Sequence, residues 1–544
     1  MIKNRLTNKK LLFAALWFAL WFVSACVYIC IFSRYYLDAD MSSELLLSKL
    51  LSDEGGILSK NWFYSTELRV LNTQLVFAPL FKIFSSWHTV RSVGSIILLA
   101  VYALSYFYFA RSIELNRERM LLTAGMLFMP LSVSYSYIML TGMYYIPHVS
   151  ISFILFGLSV RYIKKNEKKR RLILLLLTAI LAFIAGLGGI RQIFIFTLPI
   201  FMASIAVLAF TYGCESPETG ASRQNSRRFF AASTVGFAAS GIGYVVNSKI
   251  LSKIYTFWVF SDSASARGEE LSFSTDFGYF SFDGLASYIH AMFEVIGYKQ
   301  GPITSIFVLF SNVTCAVTFL FVIVALVICI RKLFAYNSSD FITVAIGAFY
   351  AVGLVILTAL YGFTDMECDI RYCIPIFIFI VPLAAKCIPN FDKQNICLKL
   401  LILCMTAFLT LDSASNYRNS FINYTAADTN SEYVTIADYL EEKGYTQGCA
   451  SFWNANILTE LSDGEIEVWN VGMDHISTKS DLGVMYEWLQ VKSHAFAFPE
   501  DKLFLVLNEA ETRDCNLPIE PDFSVNGYSV YLFDSFNEYE KLYS

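Results

Sequence analysis

Leu11-Leu-Phe-Ala-Ala-Leu-Trp-Phe-Ala-Leu-Trp-Phe-Val-Ser-Ala-Cys-Val-Tyr-Ile-Cys-Ile-Phe-Ser33 runs directly into Arg34-Tyr-Tyr-Leu-Asp38-Ala-Asp40. The first part is long enough and apolar enough to cross a bilayer, whose hydrocarbon core needs about 20 such residues. It lacks a small-residue cleavage site ahead of Arg34, so it reads as an uncleaved first helix rather than a signal peptide. The second part places two carboxylates where that helix should leave the membrane.

The rest of the chain repeats the first signal. With 56% hydrophobic, 16% aromatic and 16% charged residues over 544 positions, the composition is that of a polytopic α-helical membrane protein. Apolar runs at 11–33, 88–110, 120–139, 147–162, 172–186, 193–212, 229–250, 302–330, 341–361, 372–388 and 396–412 give about eleven expected spans. Those at 147–162, 172–186 and 396–412 are short enough to be tilted or broken.

Basic residues in short loops set the orientation. Lys3, Arg5, Lys9 and Lys10 place the N-terminus in the cytoplasm, and alternation then puts Arg111/Arg117/Arg119, the Arg161–Arg171 run, Arg223/Arg227/Arg228, Arg331/Lys332 and Lys386/Lys393/Lys399 on the same side. The opposite, extracytoplasmic side receives loops 34–87 and 251–301, the turns at 140–146, 187–192 and 361–371, and everything after 412. A plasma-membrane location follows, with the membrane domain at 1–412 and a second domain at 413–544. In that second domain Val434 to Lys443 has helical spacing ending at Gly444, and Asn454 to Leu461 reads as a second helix. Cys449 to Trp453, Glu465 to Val471, Lys502 to Asn508 and Tyr528 to Phe533 read as strands. The sum is a small extracytoplasmic α/β domain.

Several function classes drop out. No GxGxxG or P-loop appears, and a net charge of -4 suggests no nucleic-acid partner. Most of the twelve cysteines lie in or beside apolar runs, where they act as packing residues; Cys368, Cys449 and Cys515 lie outside, and Cys449 with Cys515 is a candidate disulfide. The five histidines form no zinc-spaced cluster.

Chemistry therefore concentrates in the outer loops. Met41, Leu45, Leu46, Lys49 and Leu50 recur at helical spacing, which predicts an amphipathic helix lying along the membrane surface. Asp38 and Asp40 at its start suit activation of a hydroxyl, since an alcohol attacks well only when a positioned carboxylate takes its proton. The competing reading is an Asp that N-caps the helix. Asn61-Trp-Phe-Tyr-Ser-Thr-Glu67-Leu-Arg69 adds polar groups, Glu67 and Arg69, that need partners or a ligand. Gly186-Leu-Gly-Gly-Ile-Arg191-Gln192 is a glycine-rich turn in which backbone N–H groups and a guanidinium could receive a phosphate; a snorkelling arginine is the alternative. Arg371-Tyr372 follows Asp365, Glu367 and Asp369, so a local ion pair competes with a ligand role. His148, after Gly142-Met-Tyr-Tyr-Ile-Pro147, is an outer-edge histidine, and Arg267, Glu269, Glu270, Asp276, Asp283 and His290 add charge to loop 251–301.

The uncleaved first helix, Asp38-Ala-Asp40 with its amphipathic sequel, the Arg191 turn, the late Arg371-Tyr372-Cys-Ile-Pro375 and the outer C-terminal domain together resemble GT-C membrane glycosyltransferases, in particular the protein O-mannosyltransferase and aminoarabinose transferase group. The resemblance implies inverting transfer of a sugar from a polyprenyl-phosphate donor to a glycan, lipid or protein acceptor on the outer face. It implies an aspartate base, with Asp40 ahead of Asp38, and Arg191 and Arg371 on the donor phosphate. Glu67, Arg69, Tyr372 and His148 would add substrate contacts. The adjacent Asp-Glu pair of some relatives is here Asp-Ala-Asp, so the division between base and ligand of a divalent cation (Mg or Mn, through Asp38 and Asp40) stays open. A transporter, or a flippase or polymerase for lipid-linked glycans, is the alternative; it would carry charges within its spans, whereas these sit at loop ends.

Overall fold

The computed structural model describes residues 2–66, 68–213, 219–257, 280–299, 302, 306–335, 341–364, 368–387, 396–426, 430–472, 475–499 and 501–543. The chain is a multi-pass membrane protein. Among the described residues eight helices are long and apolar enough to cross a bilayer: Lys9–Phe32, Trp87–Ser112, Ile146–Lys164, Ile193–Gly213, Arg223–Lys253, Val308–Lys332, Phe341–Phe363 and Ile370–Cys387. The expected spans at 120–139, 172–186 and 396–412 are not among them. At 120–139 the reason is Pro130, which has no N–H and blocks the preceding turn. The helix Arg117–Leu127 stops before it, and Ser132 then N-caps a new turn by accepting from the Tyr135 N–H at 3.0 Å. At 172–186 a helix does form, Lys168–Gly186, but its first four residues are all basic and leave too short an apolar length. The 396–412 run lies inside the helix Ile396–Ala426.

The chain divides into two compact units. The first comprises Met1–Cys26, Leu98–Ser248 and Phe260–Asn419 and is built of helices. Its centre is aromatic: Phe109, Phe153, Phe156, Phe196, Phe349 and Phe379 pack edge to face, tilted or stacked, with centroids 4.7–6.4 Å apart. Helix contacts are close where glycine permits. At Gly284 a Cβ would meet the Tyr361 carbonyl, so the helix Phe282–Val295 can lie directly against Phe341–Phe363. The Ser281 N–H donates to the Gly362 carbonyl at 2.7 Å beside that contact.

The second unit joins Val27–Ile97 and Lys249–Val259 to Ser420–Ser544. Its strands are β1 (Trp62–Phe63), β2 (Gln447–Ala450), β3 (Glu467–Asn470), β4 (Gln490–Val491), β5 (Leu503–Asn508), β6 (Phe523–Val525) and β7 (Tyr528–Phe533). Five form a sheet in the order β3-β2-β5-β7-β6, with β2 parallel to both β3 and β5 and the remaining pairs antiparallel. Alternate residues of β5 serve two cores: Phe504 and Val506 join Ile436, Leu440 and Leu458, while Leu503, Leu505 and Leu507 join Trp469, Tyr531 and Tyr539. Period-two burial on both faces is what a covered central strand requires. The helices Ser431–Lys443 and Phe452–Leu461 and strands near 465–471, 502–508 and 528–533 are thus present, whereas the strand expected at Cys449 to Trp453 falls at Gln447–Ala450 and Phe452 and Trp453 open the next helix; Gly444 closes the first helix in the left-handed region at φ 76°. Cys449 and Cys515 are free thiols buried in one cluster, not a disulfide, and burial pushes them up to about 12 and about 11.

The helix Ala39–Glu54 forms where expected, and protein packs on two sides of it. Met41, Leu45, Leu47 and Leu51 are buried, and so are Ser42, Ser43, Glu44, Ser48 and Ser52. It packs between the helices Gln74–Leu80 and Phe452–Leu461, and small hydroxyl residues permit that two-sided contact. β1 pairs with β4, and the Tyr64 N–H donates to the Thr256 carbonyl, so the first loop is stitched into the C-terminal fold.

One ion pair holds this arrangement. Arg91, in the first turns of the helix Trp87–Ser112, binds Glu460 through Nε and Nη2 (2.6 Å for the second) and donates from Nη2 to the Met41 carbonyl at 2.9 Å. Both side chains are about 95% buried, with 5% and 3% exposed. Removing one partner of such a pair leaves an uncompensated buried charge. Glu460→Ala is expected to cost about 3–5 kcal/mol and Arg91→Met with Glu460→Leu together much less, measured by thermal unfolding in detergent. Equal losses in the single and double variants would show that the pair does not hold the unit.

Candidate functional site

The first acidic residues separate by role. Asp38 has extended backbone (φ -126°, ψ 175°), and its Oδ1 accepts from the Met41 N–H at 2.7 Å, which makes it the N-cap of the helix Ala39–Glu54. Asp40 lies in the first turn of that helix, half-buried, with its carbonyl accepting from Ser43 Oγ. Four residues on, Glu44 is buried and binds both Arg69 and the Thr73 hydroxyl. Arg69 is therefore a packing partner of Glu44, and Gln74 Nε2 donates to its carbonyl. Glu67 lies outside the described residues, as do Asp365, Glu367, Arg267, Glu269, Glu270 and Asp276. All of Asp38, Asp40, Glu44 and Arg69 belong to the second unit.

The arginines belong to the first unit, and there the structure brings them together. The Arg191 guanidinium carbon lies 5.0 Å from the Tyr145 ring centroid and 5.9 Å from that of Tyr372. The Arg371 guanidinium carbon lies 5.9 Å from the same Tyr372 ring. Within about 6 Å an aromatic face attracts a cation, so one tyrosine is shared by two guanidinium groups 180 residues apart in sequence. Arg371 also binds Asp369 through Nε, while Asp369 Oδ1 accepts the Arg371 backbone N–H at 2.8 Å and caps the helix Ile370–Phe377. Arg371 remains 48% exposed in its side chain.

The backbone around this cluster is irregular. Ser136–Thr141 and Ile193–Thr197 are π-helical, Met143 is buried with φ 61°, and Gly189 has φ 120°. Such features cost free energy and persist where packing over-determines them, commonly at functional sites. Here they aim side chains at one another. The Tyr137 and Tyr144 hydroxyls meet at 3.2 Å, and His148 Nδ1 lies 3.2 Å from Gln192 Oε1. Buried Gln192 donates from Nε2 to Ser152 Oγ at 2.9 Å, which fixes the residue next to Arg191 against the helix Ile146–Lys164. His148 thus acts on the turn that carries Arg191. Tyr145 and Gln192 were not singled out by the sequence, although Gln192 adjoins Arg191 and Tyr145 lies three positions before His148; Asp369 was one of the three acids expected to offer Arg371 an ion pair.

Among the described residues no three His, Cys, Asp or Glu side chains are grouped so as to hold a metal ion. Asp38 Oδ1 accepts the Met41 N–H, and Glu44 binds Arg69 and the Thr73 hydroxyl.

No family model matches the sequence, and no curated protein does. The solved structures it resembles include archaeal ones. The oligosaccharyltransferase of Archaeoglobus fulgidus in its apo form aligns with 92% of this chain and 69% of its own, at 10% identity and a TM-score of 0.48. The oligosaccharyltransferase AglB from the same organism, in complex with an inhibitory peptide and a dolichol-phosphate, aligns with 92% of this chain and 71% of its own, at 11% identity and a TM-score of 0.47. At these values the likeness gives no residue a role, and the roles below rest on the chain's own contacts and motifs.

Because Asp38 acts through its cap, Asp38→Asn should leave stability nearly unchanged and Asp38→Ala should cost about 0.5–2 kcal/mol, read as a lowered thermal midpoint. Equal midpoints for the two variants would remove the capping role.

Proposed function

We propose that this protein is a membrane glycosyltransferase that moves a sugar from a polyprenyl-phosphate donor to a hydroxyl acceptor on the extracytoplasmic face, with inversion. The observation that carries the reading is the meeting of Arg191 and Arg371 at Tyr372, framed by π-helical backbone. Guanidinium groups match phosphate oxygens in charge and in planar, bidentate geometry, and the Tyr372 ring attracts both. Placed at the end of apolar helices, such a pair suits an anionic head whose tail is a long hydrocarbon.

In the proposed step the acceptor oxygen attacks the anomeric carbon from the face opposite the phosphate. The bond from that carbon to the phosphate oxygen breaks, its electron pair stays on the phosphate, and the acceptor proton passes to a carboxylate. Arg191 and Arg371 oppose the charge that builds on the departing phosphate. Asp40 takes the base role ahead of Asp38, which is supported by the engagement of Asp38 in its cap. No step is routed through a divalent cation.

With purified protein and radiolabelled polyprenyl-phosphate sugars, Asp40→Asn should lower turnover about 100-fold or more, the usual contribution of a general base, while Asp38→Asn stays within a few-fold of wild type. Arg191→Ala and Arg371→Ala should raise the donor KM. Wild-type turnover in Asp40→Asn would exclude Asp40 as base, and an unchanged donor KM in both arginine variants would remove the phosphate site.

A further inference from the structure

Two cysteines bracket Arg371 and Tyr372. Asp369 caps the helix Ile370–Phe377, so Cys368 stands just before the cap and Cys373 is the fourth residue of the helix. Side chains at these two positions meet across a helix start, as the pair of a hydrophobic staple does. Here both are thiols, Cys373 fully buried and Cys368 half-buried. They are in contact, the Cys373 thiol donating a hydrogen bond to the Cys368 sulfur. Between them lie Asp369, Ile370, Arg371 and Tyr372. A bond from one sulfur to the other would therefore close a ring over the cap, one guanidinium and the tyrosine that two guanidinium groups share.

We propose that Cys368 and Cys373 form a disulfide that fixes the start of this helix and so holds Arg371 and Tyr372 in place for the donor phosphate. The inference rests on the glycosyltransferase reading, which puts this turn on the extracytoplasmic face, where disulfides form and persist. Formation is an exchange with a protein or small-molecule disulfide of that compartment. The Cys368 thiolate attacks one sulfur of that disulfide, giving a mixed disulfide and releasing the first partner thiolate. Cys373 then loses its proton, attacks the Cys368 Sγ and displaces the second. One S–S bond forms in the protein and one breaks in the partner, which takes up two electrons and two protons and leaves as thiols. Cys368 is suited to the first attack: the hydrogen bond from Cys373 holds its thiol below the ordinary range, and a helix N-terminus favours negative charge beside it. Burial acts the other way on Cys449 and Cys515, whose thiols are pushed up.

Trypsin cuts after Arg371, between the two cysteines, and yields peptides 333–371 and 372–386 with one cysteine each. The test uses full-length protein purified from membranes without reductant, its remaining thiols alkylated under denaturing conditions before digestion. The two peptides are expected as one linked species, two hydrogens lighter than their sum, that separates on reduction. Stoichiometric alkylation of both cysteines without prior reduction, or a link from either one to a different cysteine, overturns the bond.

The positioning role is read from redox dependence. Reduction of the wild type should raise the donor KM about three- to tenfold with little change in kcat, the order of effect expected for loss of order at one side chain, and reoxidation should restore it. Cys368→Ser should show the raised KM without reductant and no further change with it. The reduction and reoxidation cycle needs no variant to fold, and a pair of thiols that only packs would not respond to it. A wild-type donor KM that reductant leaves unmoved overturns the positioning role. A linked peptide together with an unchanged donor KM in Arg191→Ala and Arg371→Ala keeps the disulfide and removes the phosphate site. Alkylated thiols together with a raised donor KM in the arginine variants keep the site and remove the disulfide.

Discussion

A buried guanidinium has few tolerable environments, and Arg91 has found one that ties three separate helices into a single unit. Its side chain leaves the first turns of Trp87–Ser112, meets the carboxylate of Glu460 on Phe452–Leu461, and reaches the carbonyl of Met41 on Ala39–Glu54. The neighbouring Asp463 reinforces the grip, accepting from the Trp87 N–H at 2.8 Å and so satisfying a backbone donor that the helix start would leave open. Gly464 follows with φ 85°, and a Cβ there would meet the Trp87 ring. Asp38 and Asp40 therefore sit on a helix whose first turn is fixed by charge from within the C-terminal fold. Both residues are half-buried there.

The arginine cluster depends on a different constraint, the cost of irregular helices. Two π-helical segments, a proline break and a left-handed Met143 occur around one set of tyrosines and arginines. A regular helix through 133–148 or 190–200 would rotate its later side chains by part of a turn and separate them. The polar contacts of Gln192 to Ser152 and His148, together with close aromatic packing below, offset the cost of holding these shapes. Pairs of this sort are typical of places where a chain presents side chains to a ligand, because a ligand can make contacts that relaxed backbone does not.

Much of this was legible in the sequence. Apolar length gave eight of the eleven expected spans among the described residues, because hydrocarbon thickness imposes a residue count that hardly depends on neighbours. The helix after Asp38, the strands at 503–508 and 528–533 and the cap at Gly444 followed from local periodicity and turn chemistry. The capping reading of Asp38 and the ion-pair reading of Arg371 were both visible as alternatives, and the structure realises both. What failed did so for want of partners. The helix at 39–54 looked amphipathic because serines count as polar, yet in a close helix contact a serine hydroxyl bonds back to its own helix and packs as a small residue, as Ser48 does to the Glu44 carbonyl. Arg69 looked available because Glu44 lies 25 positions away.

The sequence by itself determined that the chain crosses a membrane many times and which few polar residues stand at the helix ends. Those properties depend on solvent and on neighbours within a turn or two. Only the tertiary structure decided that Asp38 is spent on a cap, that the first loop and the C-terminal fold share one core, and that Arg191 and Arg371 share one tyrosine. The reason is the same in each case: a buried charge or an unpaired backbone group is satisfied by whatever lies nearest in space, and that partner comes from a distant part of the chain.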